Sequence, residues 1–212
     1  MALRLLPFRQ YDEQDVVHLF ALTNGDVLES TTGDGNGSHG VYVKNSDGNF
    51  DKDTITYATN SYLGKTDYPF AHADMYPSNP LEVTAATSGV LPLGLTLNQT
   101  AKNDENGEKL IYNTTKKEEL QAVLPGQTVP VATKGIFTLS ANAFDGSIAG
   151  DNNKLGVGSG VAISHSNAGK VTGVAPHSTG AFGTVIGTGN RVTTTGGLTD
   201  QFGGEFVVVK IG

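Results

Sequence analysis

Residues 155–174, LGVGSGVAISHSNAGKVTGV, gather the residue types from which three kinds of reactive site are built. Gly156, Gly158 and Gly160 could open a nucleotide-binding loop, Gly169-Lys170 could end a phosphate loop, and Ser159, Ser164 and His165 could supply a nucleophile and a base. Spacing argues against each. A dinucleotide fingerprint needs G-x-G-x-x-G between a strand and a helix. Here the third glycine comes too soon, and Val161-Ala162-Ile163-Ser164 begins a strand, so no helix N-terminus is offered to a phosphate. A phosphate loop needs glycine five residues before its Gly-Lys pair and Ser or Thr after the lysine; positions 164 and 171 are Ser and Val. Ser164 and His165 are sequence neighbours, so a strand points them to opposite faces. His177 could approach Ser164 only across a hairpin, and nothing resembles the G-x-S-x-G elbow. The stretch therefore reads as a hairpin, with Asn167-Ala168-Gly169 turning between strands at 160–166 and 170–175.

Metal and acid–base chemistry are equally short of a pattern. NSDGNFDKD at 45–53 sets oxygens at Asn45, Asp47, Asn49, Asp51 and Asp53, the hard ligands calcium prefers. A calcium loop starting at Asp47 would need glycine at 52 and glutamate at 58, which are Lys52 and Ala58, so a solvated loop with Asx turns is expected. The histidines His18, His39, His72, His165 and His177 lack i,i+2 or i,i+4 spacing. Carboxylates for glycoside hydrolysis would have to come from Asp104, Glu105, Glu108, Glu118 or Glu119, all in charged, exposed-looking runs. The expectation is a non-enzymatic chain with no cofactor and no metal.

Composition points to strands as the framework. The chain has 212 residues, 37% of them hydrophobic and 17% charged, with 28 glycines and no cysteine or tryptophan. Glycine and asparagine serve turn positions with positive φ, and β-branched residues fit strands. Without cysteine there are no disulfides, thiolate metal sites or cysteine catalysis. A formal charge of −7 argues against general nucleic-acid binding, which needs a basic surface. No window approaches the ~20 apolar residues of a membrane helix. The segment 1–22 is broken by Arg4, Arg9, Asp12 and Glu13 and is not read as a signal peptide.

Three segments follow. Residues 1–22 read as an extended N-terminal arm, with Asp12-Glu13-Gln14-Asp15 opening one helical turn and Pro7 limiting any helix before it. Residues 23–80 are a turn-rich β segment, with short runs such as Val41-Tyr42-Val43, and a Pro/aromatic connector. Residues 81–212 carry strands at Leu81–Thr87 and Leu93–Asn98, one or two helical turns at TKKEELQ capped by Thr114 or Thr115 with Glu118, and turns every 8–12 residues. That spacing belongs to a Gly-rich, mainly β barrel or sandwich. Phe206–Ile211 is apolar enough for a central strand. The arm holds Leu3, Leu5, Leu6, Phe8, Val16, Val17, Leu19 and Phe20, more apolar residues than an unpacked tail should expose, so these are the candidate partner-binding residues.

Two stretches, MALRLLPFRQYDEQDVVHLFAL and ENGEKLIYNTTKKEELQAVLPGQTVPVATKGIFTLS, resemble virion structural proteins of tailed bacteriophages, particularly those of cyanobacteria. The glycine-punctuated region 81–212 is similar in style to capsid decoration (cement) proteins. The resemblance implies a β-barrel or β-tulip, often a homotrimer, on the outer surface of the capsid in the virion. Its partner there would be the major capsid protein, with no nucleic acid and no membrane involved. It brings no fixed functional residues. Glycine- and threonine-rich β-structure is also found in tail, baseplate and head-fibre proteins, though a fibre should show a fixed repeat and none is found. A carbohydrate-binding or carbohydrate-active β-domain is the alternative of another class, with Tyr57, Tyr62, Tyr68, Phe70 and Tyr76 as stacking candidates.

Overall fold

A computed structural model of the chain describes residues 4–18, 20–22, 39–45, 81–100, 108–124, 127–146, 148, 155–191, 194–195, 198–199 and 202–212. The strands of the first half are β1 (Leu5–Gln10), β2 (Val16–Val17), β3 (Phe20–Leu22), β4 (Tyr42–Asn45), β5 (Leu81–Ala85), β6 (Gly94–Thr96) and β7 (Gln99–Thr100). Those that follow are β8 (Ala122–Val123), β9 (Val131–Ala132), β10 (Gly135–Ser140), β11 (Gly160–Ile163) and β12 (Val171–Val174). The last are β13 (Gly183–Arg191), β14 (Thr194–Thr195), β15 (Leu198–Thr199) and β16 (Gly204–Ile211). The α-helix α1 (Thr114–Glu119) is short.

Two six-stranded sheets dominate. The first has the order β1-β10-β16-β13-β11-β12 and the second β2-β9-β6-β4-β5-β3; β7-β8 and β14-β15 are small separate pairs. Among the described residues neither large sheet closes on itself, so the fold is mainly β and sandwich-like. Period-2 alternation explains the packing. Phe137 and Leu139 of β10, Val207, Val209 and Ile211 of β16, and Val185 of β13 project to one core. Tyr42, Leu95 and Ala132 fill it from the second sheet. The reverse face of the second sheet buries Val41, Val43, Val83 and Val131 against Val123 and Val129. A side chain of this size contributes roughly 1.5–3 kcal/mol when fully buried, so near-zero exposure at these positions accounts for a stable sandwich.

The N-terminal segment is extended but is woven into both sheets. β1 pairs with β10, β2 with β9, and β3 runs parallel to β5. Between β1 and β2, Glu13–Asp15 makes one 3-10 turn, capped by Asp12, whose carboxylate accepts the Gln14 N–H at 3.0 Å. The backbone N–H of Thr133 donates to the Asp15 carbonyl at 2.8 Å and so anchors that turn. Helix α1 is capped by Asn113, whose Oδ1 accepts from Lys116 N at 3.2 Å, rather than by Thr114 or Thr115. The cap lies one residue upstream because asparagine fills the N-cap role as well as threonine does.

The hairpin β11–β12 joins the sheets. Its turn carries Gly169, buried at φ 74°. The Gly169 N–H donates to Ala86 O at 2.8 Å, and its carbonyl accepts from Tyr42 N at 3.1 Å. Ala86 N in turn donates to Tyr42 O at 2.8 Å, closing a ring of three backbone hydrogen bonds. The fully buried Arg4 adds its Nη1, 3.3 Å from the Gly169 carbonyl. A Cβ on Gly169 would lie 2.6 Å from Val41 Cγ1. Left-handed strain and overpacking therefore combine, and Gly169→Ala is expected to lose about 2–5 kcal/mol, read as a fall in the urea midpoint at constant m. Tyr42 gives the opposite case. Its ring tilts against Phe182 at 5.1 Å, while its buried hydroxyl has no hydrogen-bond partner among the described residues. Burial pushes that phenol above its ordinary value. Tyr42→Phe should thus be neutral or stabilising, by up to about 1 kcal/mol, in the same denaturation assay.

Candidate functional site

The arm residues divide between interior and surface. Leu5 and Leu6 are 1% and 2% exposed, so the chain's own core has taken them from any partner. The cause is pairing: Leu5 stands opposite Leu139 of β10, a strand more than a hundred residues later. Val16 and Val17 are half-buried in β2, and Val17 packs on the second sheet's reverse cluster. Phe20 has its backbone paired with Leu81. Leu3 and Leu19 lie outside the described residues. Phe8 is the member that stays out, at 64% exposure.

Phe8 belongs to a surface. It lies two residues from Gln10, which pairs with Ile136, and Ile136 pairs with Lys210 of β16. The same alternation puts Val208 and Phe206 on that outward face of the first sheet. Ile186, at the bulge of β13 opposite Val208, is 45% exposed. Phe206 lies over Gly189, where an added Cβ would come within 2.6 Å of its ring, and the Arg191 guanidinium sits 5.2 Å from the Phe206 centroid. These residues give the outward face an apolar character, with Arg191 and Lys210 on it and Thr138 within it buried, a setting for packing rather than for bond chemistry.

Ser164 and the residues bonded to it serve the fold. Ser164, 3% exposed, donates its hydroxyl hydrogen to Asp145 Oδ2 and accepts from Ser166 N at 3.1 Å and Asn167 N at 3.2 Å. Asn167 Nδ2 donates to both Asp145 oxygens at 2.9 and 3.0 Å. The network staples the hairpin turn, as Ser and Asp side chains do when they bond nearby backbone. His165 turns away, its Nδ1 3.0 Å from Ser88 Oγ. In the glycine stretch, Gly158 N donates to Val185 O at 2.8 Å and Ser159 N to Gly156 O at 3.0 Å, so these amides are committed within the chain. Asp145 went unread in the sequence because its partner lies nineteen residues away.

No group of three or more potential metal ligands occurs among the described residues. The oxygen-rich loop after Asn45, His72, Asp104, Glu105 and the aromatics Tyr57, Tyr62, Tyr68, Phe70 and Tyr76 lie outside them. Glu108, Glu118 and Glu119 are exposed. No protein family, curated protein or solved structure matches the chain.

His39 is the titrating group tied to the fold. Its Nε2 lies 3.0 Å from the Leu5 carbonyl, to which it donates. Burial, opposed in part by that bond and helped by Arg9, holds its pKa below the ordinary 6.5. The unfolded chain then binds the proton more readily than the folded one. The contribution is full above about pH 6.5 and is lost as pH falls through the lower folded value. Melting temperature should drop on acidification below 6.5, and His39→Gln, which keeps a donor for Leu5, should flatten that part of the profile.

Proposed function

We propose that this chain is a structural capsid decoration (cement) protein of a tailed bacteriophage. It would bind the major capsid protein on the outer shell, as a homotrimer, and brace the head against the pressure of packaged DNA. The observation that carries the reading is apolar surface on the first sheet: Phe8 and Ile186 stand exposed, and Ile136, Phe206 and Val208, which flank the buried Thr138 on the outward face, are only half-buried. A monomer gains nothing from leaving such side chains in water, whereas a clamp draws its energy from burying them. The resemblance of the N-terminal and central stretches to phage virion proteins supplies the partner. The net charge of −7 favours a position outside the shell, away from DNA.

Removing the N-terminal segment would test folding instead of binding, because Leu5 and Leu6 belong to the core. A point change at Phe8 avoids this. Burying one such ring is worth roughly 1.5–3 kcal/mol, and 1.4 kcal/mol is tenfold in affinity. Phe8→Glu should therefore weaken co-sedimentation with empty shells of the major capsid protein at least tenfold, with an unchanged circular dichroism spectrum and melting point. Wild-type protein that fails to pellet with shells, or a Phe8→Glu variant with full occupancy, would overturn the reading.

A further inference from the structure

Eleven described residues hold φ in the positive region, and nine of them are glycine. The two exceptions are Gln121 at φ 49° and His177 at φ 60°. A chain with 28 glycines has filled such places at no steric cost elsewhere. Gln121 directly follows the capping residue Leu120 of α1, and its N–H donates to Glu118 O at 3.0 Å. Glycine is the usual residue at that position. A strained side chain kept where none is needed directs attention to what the side chain faces.

Gln121 lines an open trough of about 570 Å³, together with Arg9, Tyr11, Glu13, His18 and Asn98. That volume is in the range of small-molecule sites. The trough continues past Gln121 and Asn98 into a second depression of about 540 Å³ that includes Lys117 and Gln127. The chemistry of the lining is specific. Each amide offers two donors and an acceptor, Arg9 only donates and the Glu13 carboxylate only accepts. Arg9 and Glu13 in the first depression, and Lys117 and Glu118 in the second, balance in formal charge, so no charge is left over to select an anion. The Tyr11 ring stacks on Phe137 at 5.8 Å with 19° between planes, which fixes its orientation while leaving the residue 37% exposed.

Mixed donors and acceptors without net charge, beside a fixed aromatic ring, match a ligand that carries hydroxyl groups around an apolar ring face. We propose that the trough binds a neutral saccharide of one or two units. The Gln121 and Asn98 amides pair with its hydroxyls and Tyr11 packs against the C–H face of the pyranose. An apolar ligand would leave the amides without partners, and an acidic one would meet Glu13. This site is separate from the Phe8 face and does not rest on the capsid reading.

The test is saturation-transfer NMR on the full chain with D-glucose, D-galactose, N-acetyl-D-glucosamine and their β1,4-linked dimers. At least one should receive transfer at its ring protons. Tyr11→Ala and Gln121→Gly should each weaken that binding at least tenfold. Relief of left-handed strain should at the same time raise the melting temperature of Gln121→Gly by about 2–4 °C. A stabilised variant that binds worse separates a ligand role from a purely structural one. No transfer from any sugar, wild-type affinity in Gln121→Gly, or a response confined to D-glucuronate would overturn the proposal. Shell co-sedimentation is read independently, so either reading can fail alone.

Discussion

The structure depends on one peptide. Gly169 sits where the ladder between β4 and β5 comes to its end, and it supplies both an acceptor for Tyr42 and a donor for Ala86. Buried backbone groups must find partners, and here the partner is brought by a hairpin of the other sheet. The ring of three hydrogen bonds therefore does more than finish a ladder: it makes each sheet the condition for the other. Arg4 reinforces the point. Burying a guanidinium is costly without acceptors, and the carbonyl that receives it is the one Tyr42 already engages. The pieces that meet at this peptide are the start of β1, β4, the residue after β5, and the turn of β11–β12.

From that tie, β1 presents two surfaces. Alternation along a strand sends neighbouring side chains to opposite faces. Gln10 pairs with Ile136 on the outward face of the first sheet and Phe8 before it is exposed, while Arg9 and Tyr11 line the trough. Among the described strands β1 lies at the edge of its sheet, and edge strands invite unplanned pairing. Pro7 and the irregular register between Leu5 and Arg9 interrupt the row of groups that such pairing would need.

Much of the β framework was legible because it is local. The 155–174 stretch is a hairpin, with strands trimmed to 160–163 and 171–174, and Gly169 takes the positive φ its turn requires. Phe206–Ile211 falls within β16, flanked by β10 and β13. The charged stretch after Asn113 was legible as helix from its composition, and Asn113 caps it while none of its residues is buried. The N-terminal segment was harder. Its apolar residues were visible, but whether Leu5 meets its own chain or another depends on a pairing with Leu139 that no local pattern encodes. The same holds for Arg4, which reads as an interruption of an apolar run and proves to be fully buried. Gln121 gave no signal at all, since left-handed strain in a glutamine is a property of the folded backbone.

The 165-residue separation between Arg4 and Gly169 sets a clock for synthesis. At ribosomal rates of 5–20 residues per second, roughly 10–30 s pass between the emergence of the first partner and that of the second. Leu5 and Leu6 leave the exit tunnel long before β10 exists to cover them, and the ring around Gly169 can close only after residue 169 is outside. Closure around this peptide therefore waits until residue 169 has emerged. The interval before it is the time when the nascent chain most needs a chaperone's shelter.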